Sequence, residues 1–283
     1  MARIVGGLAT SHIPAIGGAI AKAIQAEPYW APFFDSFPPA HDWLAEQKPD
    51  VAVIFYNDHG LNFFLDKMPT FAVGAAPEYH NADEGWGIPT LEPSRGNQDL
   101  SWHLIEQLVA AEFDIVTCQE MLVDHAFTLP LKLFWPNDEV APVEVVPICV
   151  NTVQFPLPTA HRTFELGKAV GQAVTSWQSD KKVVVMGTGG LSHQLEGERA
   201  GYINKAFDEA CFSSIVSDPA WLTQFSDREL VAQAGTQGVE VLNWLAMRGA
   251  LEVAQGPVRE VHRNYHIPIS NTAAGMLVLE TAA

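Results

Sequence analysis

Apolar residues in this chain come in short continuous runs rather than in alternation. The runs at 4–8, 51–56, 70–74, 114–118, 143–150 and 182–186 are rich in Val and Ile. A strand with one covered face alternates apolar and polar positions, so unbroken runs predict strands buried on both faces. Between them, the stretches 100–111, 164–177, 200–216 and 239–248 place apolar residues three and four apart, the spacing of one helix face. Strands that alternate with helices predict an α/β/α sandwich, with helices on both sides of a mainly parallel or mixed central sheet. No internal repeat or low-complexity linker interrupts the pattern. The proline-rich Phe155-Pro156-Leu157-Pro158 reads as a turn, because the alternation continues beyond it. One domain over residues 1–283 is expected, long enough to bury a large core.

Composition adds little to this picture but removes several function classes. A hydrophobic content of 48% and a charged content of 17% describe an ordinary globular chain. The formal net charge of −17, with no cluster of Lys and Arg, argues against a phosphate backbone as partner. Cys118, Cys149 and Cys211 lie far apart without C-x-x-C spacing, which fits free thiols in a reducing compartment. The apolar stretch near Met1 is cut by Ser11-His12-Ile13-Pro14, so no signal-peptide core forms, and no apolar run reaches the length of a membrane span. A cytoplasmic protein is expected.

The candidate chemistry sits at strand ends, where ligands gather in open α/β sheets. The first run leads into Thr10-Ser11-His12, the second into Asn57-Asp58-His59, and the last into Gly187-Thr188-Gly189-Gly190-Leu191-Ser192-His193. A fourth histidine, His125, follows Asp124 after the run at 114–118. One histidine under a loop is ordinarily a hydrogen-bonded structural group. Several at one sheet edge point to a shared partner such as a metal, because buried imidazoles need partners. The pattern alone leaves both readings open. The glycine-rich stretch fits neither a dinucleotide fingerprint, which needs glycine where Ser192 stands, nor a nucleophile elbow, which needs glycine where Gln194 stands. Its glycines suit a tight loop that approaches a ligand closely.

Several blocks spread through the chain carry a resemblance. They are Thr10-Ser11-His12-Ile13-Pro14-Ala15, Tyr56-Asn57-Asp58-His59, Ala82-Asp83-Glu84-Gly85-Trp86-Gly87, Val123-Asp124-His125, the glycine-rich stretch through Gln194, Gly238-Val239-Glu240 with Trp244, Arg248-Gly249-Ala250, and Ser270-Asn271-Thr272-Ala273. Together they resemble the catalytic β subunit of the protocatechuate 4,5-dioxygenase type of extradiol dioxygenases. The resemblance implies that His12, His59 and Glu240 hold Fe(II) on one face, leaving positions for both oxygens of a catechol and for O₂. Without it, Glu240 reads as a solvated helix carboxylate.

The resemblance further assigns His193 as the acid/base, a task that needs a pKa near neutrality. A third neutral ligand there would close a position that substrate and O₂ require. His125 is expected to hydrogen-bond bound oxygen or substrate, or to brace the pocket. Asp58 and Asp124 are expected to orient imidazoles, although neighbours on an extended chain point to opposite sides, so neither need serve the histidine beside it. Ser270 and Asn271 would contact the ring carboxylate, with turn chemistry as the alternative. The implied reaction is O₂-dependent opening of protocatechuate between C4 and C5. Gallate, 3-O-methylgallate or another catechol is the alternative, and a non-catalytic binding relative or a zinc hydrolase a more remote one. With the last residue at Ala283, no room is left for the C-terminal extension of gallate-type relatives. A separate small helical α subunit, acting as a lid in an αβ assembly, is therefore expected.

Overall fold

The computed structural model describes residues 1–85, 92–253, 256–267 and 272–281. Its first half runs β1 (Arg3–Thr10), α1 (Pro14–Ala21), α2 (Ala31–Phe34), α3 (Pro38–Gln47), β2 (Val51–Tyr56), β3 (Phe71–Gly74), β4 (Glu78–Asn81), β5 (Ser94–Arg95), α4 (Gln98–Ala110), β6 (Val116–Cys118), β7 (Leu122–Val123) and α5 (His125–Phe134). The second half runs β8 (Glu144–Val150), α6 (Ala160–Ser176), β9 (Lys182–Thr188), α7 (Lys205–Ser217), α8 (Ala220–Thr223), α9 (Asp227–Ala234), α10 (Val241–Ala250), β10 (Val258–His266) and β11 (Ala274–Thr281). Among the described residues no helix is long and apolar enough to cross a membrane.

An eight-stranded mixed sheet in the order β10-β11-β1-β9-β2-β8-β3-β6 forms the centre of the expected α/β architecture. Strands β1, β9, β2 and β8 run parallel at its middle. Successive residues of these strands feed two different cores. Val51, Val53 and Phe55 pack on one face with α4, α6 and α10, while Ala52, Ile54 and Tyr56 pack on the other with α1, α3 and α5. Apolar cover on both faces is what makes each run continuous in sequence.

Helices α6 and α10 approach unusually closely because glycines face the neighbouring backbone. A Cβ on Gly167 would lie 2.1 Å from the carbonyl oxygen of Ala246, and one on Gly171 would lie 2.4 Å from that of Ala250. This contact presses α10 onto β9 and so settles where the residue just before α10, Glu240, enters the sheet edge.

Several expectations are corrected by the topology. Strand β3 is antiparallel to β8, and β6 pairs parallel with β3, so both point away from the edge where β1, β9 and β2 end. His125 therefore does not follow a strand end at that edge. The chain returns through β7, paired with β4 in a small second sheet, and reaches the edge at the start of α5. The helix expected over 200–216 begins only at Lys205, where the Asn204 side chain caps it by accepting the N–H of Phe207. The hairpin of β10 and β11, in which β11 pairs antiparallel with β1, was not anticipated, although Met276-Leu277-Val278-Leu279 is a short apolar run of the same kind.

The close approach of α6 and α10 sets a stability test. Gly167→Ala is expected to lower the unfolding free energy by about 1–3 kcal/mol through overpacking. Gly18→Ala, where nothing lies within 4 Å of the added carbon, is expected to raise it by about 0.5–1 kcal/mol. Urea denaturation of both variants beside the native chain checks the pair.

Candidate functional site

Because β1, β9 and β2 are adjacent and parallel, their carboxyl ends share one edge, with Thr10 beside Thr188 and Phe55 beside Gly187. His12 follows β1 and is 4% exposed. Its Nδ1 lies 3.2 Å from the Thr188 hydroxyl, which turns Nε2 inward, 3.4 Å from Glu240 Oε2. His59 follows β2, and its Nδ1 and backbone N–H both bond Asp124 Oδ2, at 2.9 and 2.8 Å. That pairing directs His59 Nε2 toward Glu240 Oε1, 3.6 Å away. His125 stacks on His59 with ring centroids 4.3 Å apart, and one ligand atom from each of His12, His59 and His125 falls within 4.8 Å of the others.

Glu240 ends a short 3-10 turn, Gly238–Glu240, immediately before α10. At 5% exposure it is buried, not the solvated helix residue its sequence neighbourhood alone suggests. Asn57 Nδ2 donates to its Oε1 at 3.2 Å and the Gly190 N–H to its Oε2 at 3.1 Å. Asn243, in the first turn of α10, donates to Asn57 Oδ1 at 3.1 Å and so points the Asn57 amide nitrogen at the carboxylate. Only glycine fits at position 189, where φ is +102° and a Cβ would lie 2.8 Å from Glu240 Oε2 and 3.1 Å from the His12 ring.

Burial pushes the Glu240 carboxyl up, but the adjacent His12 and His59 outweigh it and hold the group well below the usual carboxylate range. Burial lowers the His12 pKa, against the opposing pull of Glu240. Burial also opposes protonation of His59, yet Asp124 and Glu240 raise that group well above its ordinary value. Asp124, despite burial, is held down to about 2, chiefly by His59.

These residues fit a divalent metal. His12 Nε2 is buried without a hydrogen-bond partner among the described residues, a costly state for an imidazole nitrogen unless something binds it. It faces a carboxylate and a second imidazole nitrogen, and two imidazoles with one carboxylate form a donor set suited to Fe(II) or Zn(II).

The carboxylates beside the histidines divide their work differently from the expectation. Asp124 does orient an imidazole, that of His59, while its Oδ1 caps α5 by accepting the Ala126 N–H at 3.0 Å. Asp58 orients none; it accepts the backbone N–H groups of Gly60, Leu61, Asn62 and Phe63 and closes the loop after His59. His125 is instead gripped by Glu84, whose oxygens take its ring Nδ1 at 2.5 Å and its backbone N–H at 2.6 Å. Glu84, Asn57, Asn243 and Thr188 went unassigned in the sequence. Only their neighbourhood, in or near the motif blocks, marked them.

His193 lines a cavity of about 90 Å³ together with His12, His59, His125 and Glu240. Its backbone is fixed by a bond from its N–H to Ala234 O at 2.6 Å, while its carbonyl accepts the N–H groups of Gln237 and Gly238, each at 3.1 Å. Burial lowers its pKa more than nearby Glu240 raises it, which leaves a neutral imidazole at the cavity wall. Ser270 and Asn271 lie outside the described residues; Thr272, just beyond them, bridges to His193 and lines the same cavity.

Comparison with known proteins agrees with this arrangement. The family model for the catalytic LigB subunit of aromatic ring-opening dioxygenase matches residues 6–275. Gallate dioxygenase of Pseudomonas putida is 39% identical over 199 residues, 70% of this chain and 57% of that protein, so the chain spans little more than half of this relative's length. The 2,3-dihydroxyphenylpropionate/2,3-dihydroxicinnamic acid 1,2-dioxygenase of Photorhabdus laumondii is 28% identical across 96% of this chain and 95% of its own. An uncharacterized protein of Escherichia coli K12 shares the fold, with a TM-score of 0.58 at 16% identity, covering 98% of this chain and 100% of that one. With its histidines and buried glutamate gathered at one sheet edge and the family model matched almost end to end, the chain belongs to the family of catalytic LigB subunits of aromatic ring-opening dioxygenases.

Proposed function

We propose that this chain is an Fe(II)-dependent extradiol dioxygenase that opens a catechol-type aromatic ring with O₂, residues 1–283 forming one catalytic unit. The observation that carries the reading is the buried, unpartnered Nε2 of His12 facing Glu240 with His59 alongside. In it, His12, His59 and Glu240 hold the iron. Bound iron would supply the redox chemistry that joins O₂ to an electron-rich catecholate ring.

The chain's own residues manage geometry and protons. Thr188 and Asp124 keep the Nε2 atoms of His12 and His59 directed at Glu240. Ile13, Pro14 and Leu195 provide apolar wall at the cavity, where a ring can lie and water is displaced. His193, neutral at the wall, takes the proton of a substrate hydroxyl and returns it later. His125, its Nδ1 engaged by Glu84, hydrogen-bonds substrate or oxygen or braces the pocket. Ser270 and Asn271 are retained as the contacts for a ring carboxylate.

Similarity to a gallate dioxygenase and to dihydroxyphenylpropionate dioxygenases supports a gallate-type ring better than protocatechuate, the first expectation. A small helical α subunit over the cavity mouth and a cytoplasmic location complete the proposal.

Anaerobic loading with Fe(II), followed by a catechol and air, is expected to consume O₂ and give a ring-opened product, with kcat/KM higher on gallate than on protocatechuate. An oxygen electrode and absorbance spectra read the result. Absence of O₂ uptake with gallate, protocatechuate and dihydroxyphenylpropionate alike would sink the oxygenase reading, and zinc-loaded protein that hydrolyses esters would replace it. Glu240→Gln is expected to lose bound iron, and Asp124→Asn to weaken iron binding by about 10–100-fold as the His59 ring loses its brace; metal analysis after dialysis checks both. His193→Phe is expected to keep its iron while kcat falls by about 10²–10⁴-fold. Equal kcat in that variant removes His193 from the acid/base role.

A further inference from the structure

Behind the His193 loop lies a buried carboxylate that the proposed chemistry does not use. Asp208, in the first turn of α7, is 1% exposed. Its Oδ1 accepts both the backbone N–H of Ser192, at 2.9 Å, and the Ser192 hydroxyl, at 2.7 Å. Its Oδ2 accepts the Tyr265 hydroxyl at 2.7 Å. Ser192 is itself fully buried; its hydroxyl oxygen accepts the Asn204 N–H at 3.0 Å and its carbonyl the Ala273 N–H at 2.9 Å. One carboxylate thus joins the loop before His193, the start of α7 and the far part of β10.

This burial is expensive. Among the described residues no Lys or Arg pairs with Asp208, and its nearest charged influence is the like-charged Glu209; burial accordingly pushes its pKa up. A carboxylate kept inside without a counter-ion needs a reason beyond filling space. Charge-assisted hydrogen bonds are shorter and roughly twice as strong as neutral ones, so the return on that cost is a rigid grip on Ser192. Such a grip matters for the next residue. No hydrogen bond reaches the His193 ring among the described residues, so its direction depends on where its backbone is held and on the side chains packed around it. That backbone is tied to the Ala234 carbonyl and the Gln237 and Gly238 N–H groups on one side, and to Ser192 on the other.

We infer that Asp208 is a positioning residue for His193: by clamping Ser192 through its N–H and hydroxyl, and Tyr265 through its other oxygen, it fixes the His193 ring at the cavity. The same clamp couples the His193 loop to β10, the strand that leads into the 268–271 segment with Ser270 and Asn271. The inference rests on the dioxygenase reading, in which His193 moves the proton.

The test compares iron-loaded native protein with Asp208→Ala, Asp208→Asn, Tyr265→Phe and Ser192→Ala, using the catechol that the native chain turns over best. A side chain displaced by about 1 Å can cost about a hundredfold in rate. Asp208→Ala is therefore expected to lower kcat by tenfold or more, on the order of that loss, with bound iron and KM close to native. Asp208→Asn is expected to recover most of the loss, because its amide oxygen can still accept both Ser192 bonds. Native kcat in Asp208→Ala, or a joint loss of iron, KM and kcat that asparagine does not rescue, overturns the inference. Should Asp208→Ala not fold, Tyr265→Phe and Ser192→Ala decide: reduced kcat at native iron content and thermal midpoint supports the clamp, and native kcat in both overturns it. An absence of turnover in the native protein would instead fault the dioxygenase reading and is distinguishable from every result above.

Discussion

An ionised carboxylate buried at a sheet edge is the constraint on which this structure turns. Glu240 is 5% exposed, and an isolated charge in that position would be untenable. It persists because His12 and His59 face one oxygen each while Asn57 and Gly190 donate to them. Those four groups come from the loops after β1, β2 and β9. The carboxylate therefore stays ionised only if these strands are neighbours with a common direction, and the sheet order β1-β9-β2 supplies that.

Around this centre each inward group is held by another that faces away. Thr188 holds His12, Asp124 holds His59, Glu84 holds His125, and Asn243 holds the Asn57 amide. Asp124 joins scaffold to site most directly, since one oxygen caps α5 and the other braces His59. A helix N-terminus and an imidazole share one carboxylate, so the placement of α5, and with it His125, is tied to the orientation of His59. Side chains arranged in this way carry little freedom for a metal to remove on binding, which is how preorganised sites gain affinity.

The glycines serve the same end from the backbone side. Gly189 leaves room for Glu240 and the His12 ring, while Gly167 and Gly171 let α6 press α10 against the sheet. The first of these lies in the glycine-rich strand end where a close approach to a ligand was expected, and what it makes room for is Glu240 and the His12 ring. The helix-packing pair was not legible, because a lone glycine inside a helical pattern does not say which neighbour it admits.

Local pattern carried the layered α/β architecture, the strands of the parallel core and the gathering of His12, His59 and His193 beyond strand ends, since continuous apolar runs and the residues that follow them are read from neighbours along the chain. The burial of Glu240 was not carried that way; only resemblance distinguished it from an exposed helix residue. The reversed direction of β3 and β6, the route of His125 through the second sheet, and the exchange by which Asp124 serves His59 while Asp58 closes a loop emerged from the folded chain. Apart from the Asp58 loop, their partners lie dozens of positions apart, and hydrogen bonds over such separations leave no periodicity behind. They exist only once packing has chosen the order of the strands.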